Sequence, residues 1–217
     1  MNVSAVTLPE GLLLLAVAPA TGKPRCRPEY LRYGVAGAAL AELAARGRVE
    51  QQGRSVAVLS QQPTGDPLFD RTLALLPAPG RTVKARKWVK SSAKTVMGSC
   101  VERLEGRGAL RVVRRRILGL VPSERYHPAG DDWFAAADQQ FQASVKAGLT
   151  DPRDRMLAGF VSACDLARSL FPGLGEGRKI RKTLRTLARE QWPCSVVHRL
   201  VESARNSTDA AVASSIS

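Results

Sequence analysis

Between Glu29 and Arg46, the residues Gly34, Ala36, Gly37, Ala38, Ala41, Ala44 and Ala45 leave a segment with little side-chain bulk. Pro28 stands just before it and Gly47 just after, the residues favoured at a helix start and beyond a helix end. The spacing predicts a helix over Glu29–Arg46, with Leu31, Val35, Leu40 and Leu43 as its apolar bulk. Other helices can approach so slim a helix closely, so it belongs at the centre of a packed helical body.

The run Leu8–Ala18 is apolar at almost every position from Leu12 on and reads as a buried helix or strand. It is too short to cross a bilayer, which takes about 20 apolar residues. Glu10 precedes it and no Lys or Arg does, a poor fit to a secretory signal. The chain is therefore expected to be cytoplasmic. Farther on, Arg48–Gln51 and Arg54–Leu59 flank Gln52–Gly53, with Val56 and Val58 alternating against small polar partners, which predicts a β-hairpin. Asp66–Pro67 and Asp151–Pro152 each open a helix, because the Asp carboxylate accepts from free N–H groups and Pro suits the first helical position.

A basic helical region is expected over Thr82–Arg107, interrupted near Ser91–Ser92, with Val89, Val96, Cys100 and Leu104 as its apolar stripe. Gly108 ends it, and Ala109–Pro122 reads as a second hairpin. Asp131 or Asp132 caps a further helix running toward Gly148. Glu176–Gln191 is amphipathic, with Ile180, Leu184, Leu187 and Ala188 opposite a basic side, and Ser195–Ala204 forms a short last helix. The expected architecture is mainly α: one compact helical domain over residues 1–204, a central small-residue helix, two β-hairpins, and a disordered tail over 205–217. With 44% hydrophobic residues, a chain of 217 residues can fill such a core.

Charge is distributed unevenly. The chain carries 33 Lys and Arg against 19 Asp and Glu, a net +14. Residues 81–125 alone carry 13 basic and 3 acidic side chains, and residues 168–199 carry 8 and 2. That excess attracts phosphate-rich partners: nucleic acid, anionic lipid headgroups or an acidic protein.

Catalytic and metal chemistry find little support. The four cysteines are scattered, no CxxC pair exists, and His127 and His198 have no Cys or His at ligand spacing. Thr21–Gly22–Lys23 lacks the first glycine of a phosphate loop and is followed by Pro24, so it reads as a turn. Asp66 and Asp70 lie four apart, but Asp66 has a capping role and Arg71 adjoins Asp70. No enzyme, cofactor or metal is expected.

Several ordered motifs resemble the Golgi phosphoprotein 3 family. They are Leu8–Pro9–Glu10 with its leucines, Thr21–Gly22–Lys23, Tyr33–Ala38, Leu40–Leu43, Arg46–Val49 and, most distinctively, Pro63–Asp70. Val101–Glu102–Arg103–Leu104, Gly108 and Leu110 continue the match, and the Ala- and Arg-rich composition suits a bacterial-type homologue. The resemblance implies a largely helical peripheral membrane protein that binds phosphatidylinositol 4-phosphate and cytoplasmic tails of membrane proteins. Its headgroup site uses a Trp, an Arg on the small-residue helix and two later basic residues. Those positions fall on Arg27, Ala36, Lys94 and Met97 here, so selectivity for charge density rather than for one headgroup is expected.

The lipid-binding face is accordingly expected to comprise Arg27, Lys90 and Lys94, with Lys90 and Lys94 four apart on one helical face. The resemblance also implies that a hairpin at about Val113–Glu124 serves membrane contact or self-association into a homo-oligomer. There Arg114, Arg115 and Arg116 adjoin Ile117, Leu118, Leu120 and Val121, and cations beside apolar residues suit an anionic interface. The leading expectation is a cytoplasmic module, peripheral at the membrane surface, that binds phosphoinositide-like headgroups and tails of membrane proteins. The alternative is a nucleic-acid-binding protein with a winged-helix-like helix and basic hairpin, and a third reading is a scaffold for acidic protein.

Overall fold

The computed structural model describes residues 6–117, 121–130 and 132–214. α1 (Leu8–Ala16) is buried along its whole length. It opens where the Glu10 carboxylate reaches back to accept from the Thr7 N–H at 2.8 Å and the Thr7 hydroxyl at 2.7 Å. β1 (Val17–Ala18) then pairs antiparallel with β2 (Lys23–Pro24), a small hairpin around the turn expected at Thr21–Gly22. α2 (Pro28–Ala45) is the small-residue helix, and it packs against α1, α3 (Pro67–Ala74), α4 (Ala85–Gly106), α6 (Pro152–Ala163) and α9 (Cys194–Ser214).

The lack of bulk on α2 is used at two points. A Cβ added at Gly34 would stand 2.1 Å from the Cys164 sulfur, and one at Gly37 would stand 2.5 Å from Val197 Cγ2. The ends of α6 and α9 thus press directly on the α2 backbone. Beyond α2, Gly47 takes φ +64, the left-handed conformation that a glycine supplies at a helix end.

β3 (Val49–Gln52) and β4 (Ser55–Val58) form the first expected hairpin. A third strand, β5 (Thr82–Lys84), pairs with the other edge of β4 and takes the start of the segment expected to be helical. α4 follows without the break expected at Ser91–Ser92, because both serine hydroxyls bond back to the Trp88 carbonyl within the helix, at 3.1 and 2.7 Å. β6 (Leu110–Ile117) and β7 (Val121–Pro128) form the later hairpin, which runs past the expected end at Pro122.

Asp66, Asp132 and Asp151 cap α3, α5 (Trp133–Lys146) and α6 through their side chains. After α6 come α7 (Ala167–Leu170), α8 (Glu176–Glu190) and α9. α9 does not stop near Ala204 but continues to Ser214, through most of the segment expected to be a disordered tail. Neither Gly nor Pro interrupts the sequence there, and Ala210, Ala211 and Ala213 favour the helix. The architecture is mainly α, with short antiparallel strand pairs at its margins.

Candidate functional site

α4 owes its orientation to one apolar face. Trp88, Val89, Ala93, Val96, Met97, Cys100 and Leu104 are buried, and the Trp88 indole donates to the Leu75 carbonyl at 3.1 Å. The opposite face is left to solvent, where Lys87, Lys90 and Lys94 stand exposed at spacings of three and four. Arg86 lies beside them and donates to the Ser203 hydroxyl on α9 at 3.0 Å. Lys90 and Lys94 therefore share the face that their spacing predicts.

Arg27 stands on another element. It is exposed at the N-terminus of α2, its guanidinium 5.6 Å from the centre of the Tyr30 ring. Of the two family positions that carry no cation here, Ala36 is wholly buried in α2 and Met97 is 6% exposed. Both serve packing between helices. The cationic surface is instead widened by Arg86 and Lys87, which were not singled out from the sequence although their i, i+3, i+7 relation to Lys90 and Lys94 could have shown Lys87.

On the hairpin, the register sets Arg114 opposite Glu124, Arg115 opposite Ser123 and Arg116 opposite Pro122. Arg114 Nε meets the Glu124 carboxylate at 3.3 Å, and the Tyr126 hydroxyl donates to that carboxylate at 2.9 Å. Burial, with Glu124 adjacent, pushes the Tyr126 phenol well above its ordinary range. Leu118 and Leu120 lie outside the described residues.

The acidic groups have a different fate. Glu10 is wholly buried and accepts from Arg103 at 2.9 Å and from Arg107 at 3.1 Å. Glu42, 2% exposed, accepts from the Leu8 N–H and from Arg153, each at 2.8 Å, and also pairs with Arg46. Asp66 takes the other side of the Arg103 guanidinium while capping α3. Arg46 stacks 4.1 Å from the Phe69 ring centre, and Arg107 4.6 Å from that of Trp133. Glu10 and Glu42 are thus drawn inward, while Lys87, Lys90 and Lys94 of α4 and the basic residues of the outer side of α8 remain outside. The buried carboxylates escaped the sequence reading, since their partners lie far away in the chain.

A cavity of about 330 Å³ lies between α1, α5 and α6, floored by Gly11, Leu15, Phe141 and Leu157. Its polar rim is already engaged: Arg153 with Glu42 and the Val6 carbonyl, Asp154 with the Ser144 hydroxyl. Among the described residues, no three His, Cys, Asp or Glu side chains gather as a metal site, and the four cysteines are free thiols. Among those residues, too, no helix is long and apolar enough to cross a membrane.

The structure thus defines a mainly helical protein with two buried, arginine-paired carboxylates and exposed basic faces on α4 and α8. The family model described as Golgi phosphoprotein 3 (GPP34) matches residues 8–204, and the chain belongs to that family. No curated relative matches the chain.

Proposed function

We propose that this chain is a peripheral membrane module, without catalytic activity, that binds phosphoinositide-like anionic headgroups through the outer face of α4. The observation that carries this reading is the placement of Lys87, Lys90 and Lys94 together on an exposed helix face while Glu10 and Glu42 are withdrawn into the interior. Each basic residue near an anionic surface contributes about 1 kcal/mol, so a cluster is needed for useful binding. Tails of membrane proteins are further partners on this reading, and family membership supports it.

The test is co-sedimentation with phosphatidylcholine vesicles, plain or containing phosphatidylinositol 4-phosphate or phosphatidylserine. The protein should sediment with both anionic compositions and detach as salt rises, since exposed charges are screened beyond about 8–10 Å. The variant Lys90→Glu/Lys94→Glu should bind several-fold more weakly at an unchanged melting temperature. Equal binding to neutral vesicles would overturn the reading, and an unaffected double variant would remove α4 from it.

One observation favours a second reading. The β6–β7 hairpin leaves α4 directly through Gly108, a helix-and-wing arrangement that suits duplex DNA. Against it, Arg114 already spends charge on Glu124. Duplex DNA binding that survives at salt concentrations releasing the protein from vesicles would favour the wing.

A further inference from the structure

Leu174 is 87% exposed, while Leu59 and Leu75, also exposed, stand at 51% and 40%. Isolated apolar residues at a surface are common. Leu174 differs in the way that its loop is held. The Arg181 guanidinium donates to the carbonyls of Phe171 and Gly173, the latter at 3.0 Å, and so ties the loop to the first turns of α8. Gly173 takes φ +93, which permits the turn, and Gly177 lies so close beneath that a Cβ there would stand 2.3 Å from the Pro172 carbonyl oxygen. The backbone before the leucine is clamped onto α8, the chain after it enters α8 itself, and the leucine side chain is left to solvent.

α8 continues from that loop. Its Leu184, Leu187 and Ala188 are buried, so the opposite side faces solvent. There Arg178, Lys182, Arg185 and Arg189 follow at i, i+4, i+7 and i+11, all exposed, in one stripe about 16 Å long at the helical rise. Among the described residues no ion pair engages Arg178, Lys182 or Arg185, whereas Arg189 leans toward α9, donating to His198 Nε2 at 3.4 Å and reaching Glu202 at 4.0 Å. An apolar tip thus heads a row of cations.

Nucleic acid would satisfy the cations and leave Leu174 in water, and an acidic protein would need an apolar pocket set beside its carboxylates. An anionic bilayer satisfies both, because phosphates lie at its surface and acyl chains directly beneath. We propose that the Leu174 loop and α8 form a bilayer-contacting edge, distinct from the α4 face. Leu174 dips below the anionic headgroups, and Arg178, Lys182, Arg185 and Arg189 lie among their phosphates. This rests on the reading of the chain as a protein of anionic membrane surfaces, and it adds where the chain enters the bilayer.

The experiment measures partition of the full chain into phosphatidylcholine/phosphatidylserine vesicles, with duplex DNA in parallel. Leu174→Ser should weaken vesicle partition about tenfold, the order expected for moving one leucine out of water, with an unchanged melting temperature. Leu174→Trp should bind as well as the parent, and brominated lipid should quench its added fluorescence above the background of the native tryptophans. Arg178→Glu/Lys182→Glu/Arg185→Glu should lose vesicle binding at low salt. If Leu174→Ser partitions like the parent, or the added tryptophan is not quenched, the edge is wrong while the α4 reading stands. If the parent binds no anionic vesicle, both fall. If the α8 reversal abolishes DNA binding but spares vesicle binding, the stripe serves nucleic acid and the proposal is overturned.

Discussion

Arg103 donates from Nε to the buried carboxylate of Glu10 at 2.9 Å, joining the last turns of α4 to the first turn of α1 across 93 positions of sequence. The same guanidinium holds Asp66, so three helix ends meet at one arginine. Arg107 adds a second contact to Glu10 at 3.1 Å.

Glu10→Gln keeps the volume of the side chain and removes its charge. Arg103 and Arg107 then lose their shared partner beneath the surface. Breaking one side of a buried pair costs about 3–5 kcal/mol, and the partial exposure of both arginines sets the lower end. Urea unfolding should show a loss of about 3 kcal/mol. A loss below measurement would mean that the network contributes nothing to stability.

Asp66→Ala removes a helix cap, in which Leu68 N–H donates to the carboxylate at 3.0 Å, together with one partner of Arg103. The expected cost is about 1–2 kcal/mol, the upper part of the range for a lost cap. Vesicle binding measured on the folded variant should be unchanged. Abolished binding with full stability would reassign Asp66 to the ligand.

These two carboxylates show what was legible in the sequence. Asp66 could be read because a cap and the helix that it serves are neighbours, and Asp151 was readable for the same reason. The choice between Asp131 and Asp132 was resolved for Asp132 by the structure, Asp131 lying outside the described residues. Glu10 could not be read, since its meaning depends on Arg103 and Arg107, which only the tertiary fold brings near. β5 escaped in the same way: its partner is β4, far upstream, and Thr82–Lys84 has no pattern of its own. On the candidate site, spacing alone showed that Lys90 and Lys94 share one helical face, whereas their choice as a site came from the basic segment and the family resemblance. The clamp of Arg181 on the Leu174 loop was not legible, because it depends on a side chain reaching backbone carbonyls.

Asp70 provides a pH test. Its carboxylate accepts from the Thr64 N–H at 2.5 Å and the Thr64 hydroxyl at 2.6 Å, which holds its pKa below the ordinary 3.8. A carboxyl depressed on folding gives stability that is full above the unfolded value of 3.8 and is lost as pH falls through the folded value. Asp70→Asn should therefore be less stable than the parent at neutral pH, with the gap closing below pH 3.8. Urea midpoints across the acid range measure this, and a gap that persists unchanged at low pH would refute it.

Gly34→Ala should be destabilising although alanine favours helix. The added carbon would meet the Cys164 sulfur at 2.1 Å, too close without movement of α6. Overpacking of this kind costs about 1–3 kcal/mol. Pairing it with Cys164→Ala, which removes the opposing sulfur, should recover part of that loss in a double-mutant cycle.

Burial pushes the Cys26 thiol up to about 12 and raises Cys100, Cys164 and Cys194 also. The thiolate is the reactive form, so the folded protein should react slowly with a disulfide reagent in mildly alkaline buffer. Urea should release all four thiols. Rapid labelling of Cys100, Cys164 or Cys194 in the native protein would contradict their burial, while half-buried Cys26 should be the first to react.

α2 is enclosed by five other helices, and its backbone is approached directly by α6 and α9. None of those neighbours can detach without exposing the centre of the molecule. Local openings at the margins, such as the small β1–β2 hairpin, leave the amides of α2 protected. Deuterium should enter the middle of α2 only through global unfolding, so its slowest amides report the full stability of the domain. Ligand binding at a distant surface can therefore be read there, as a uniform slowing of exchange at residues that no ligand touches.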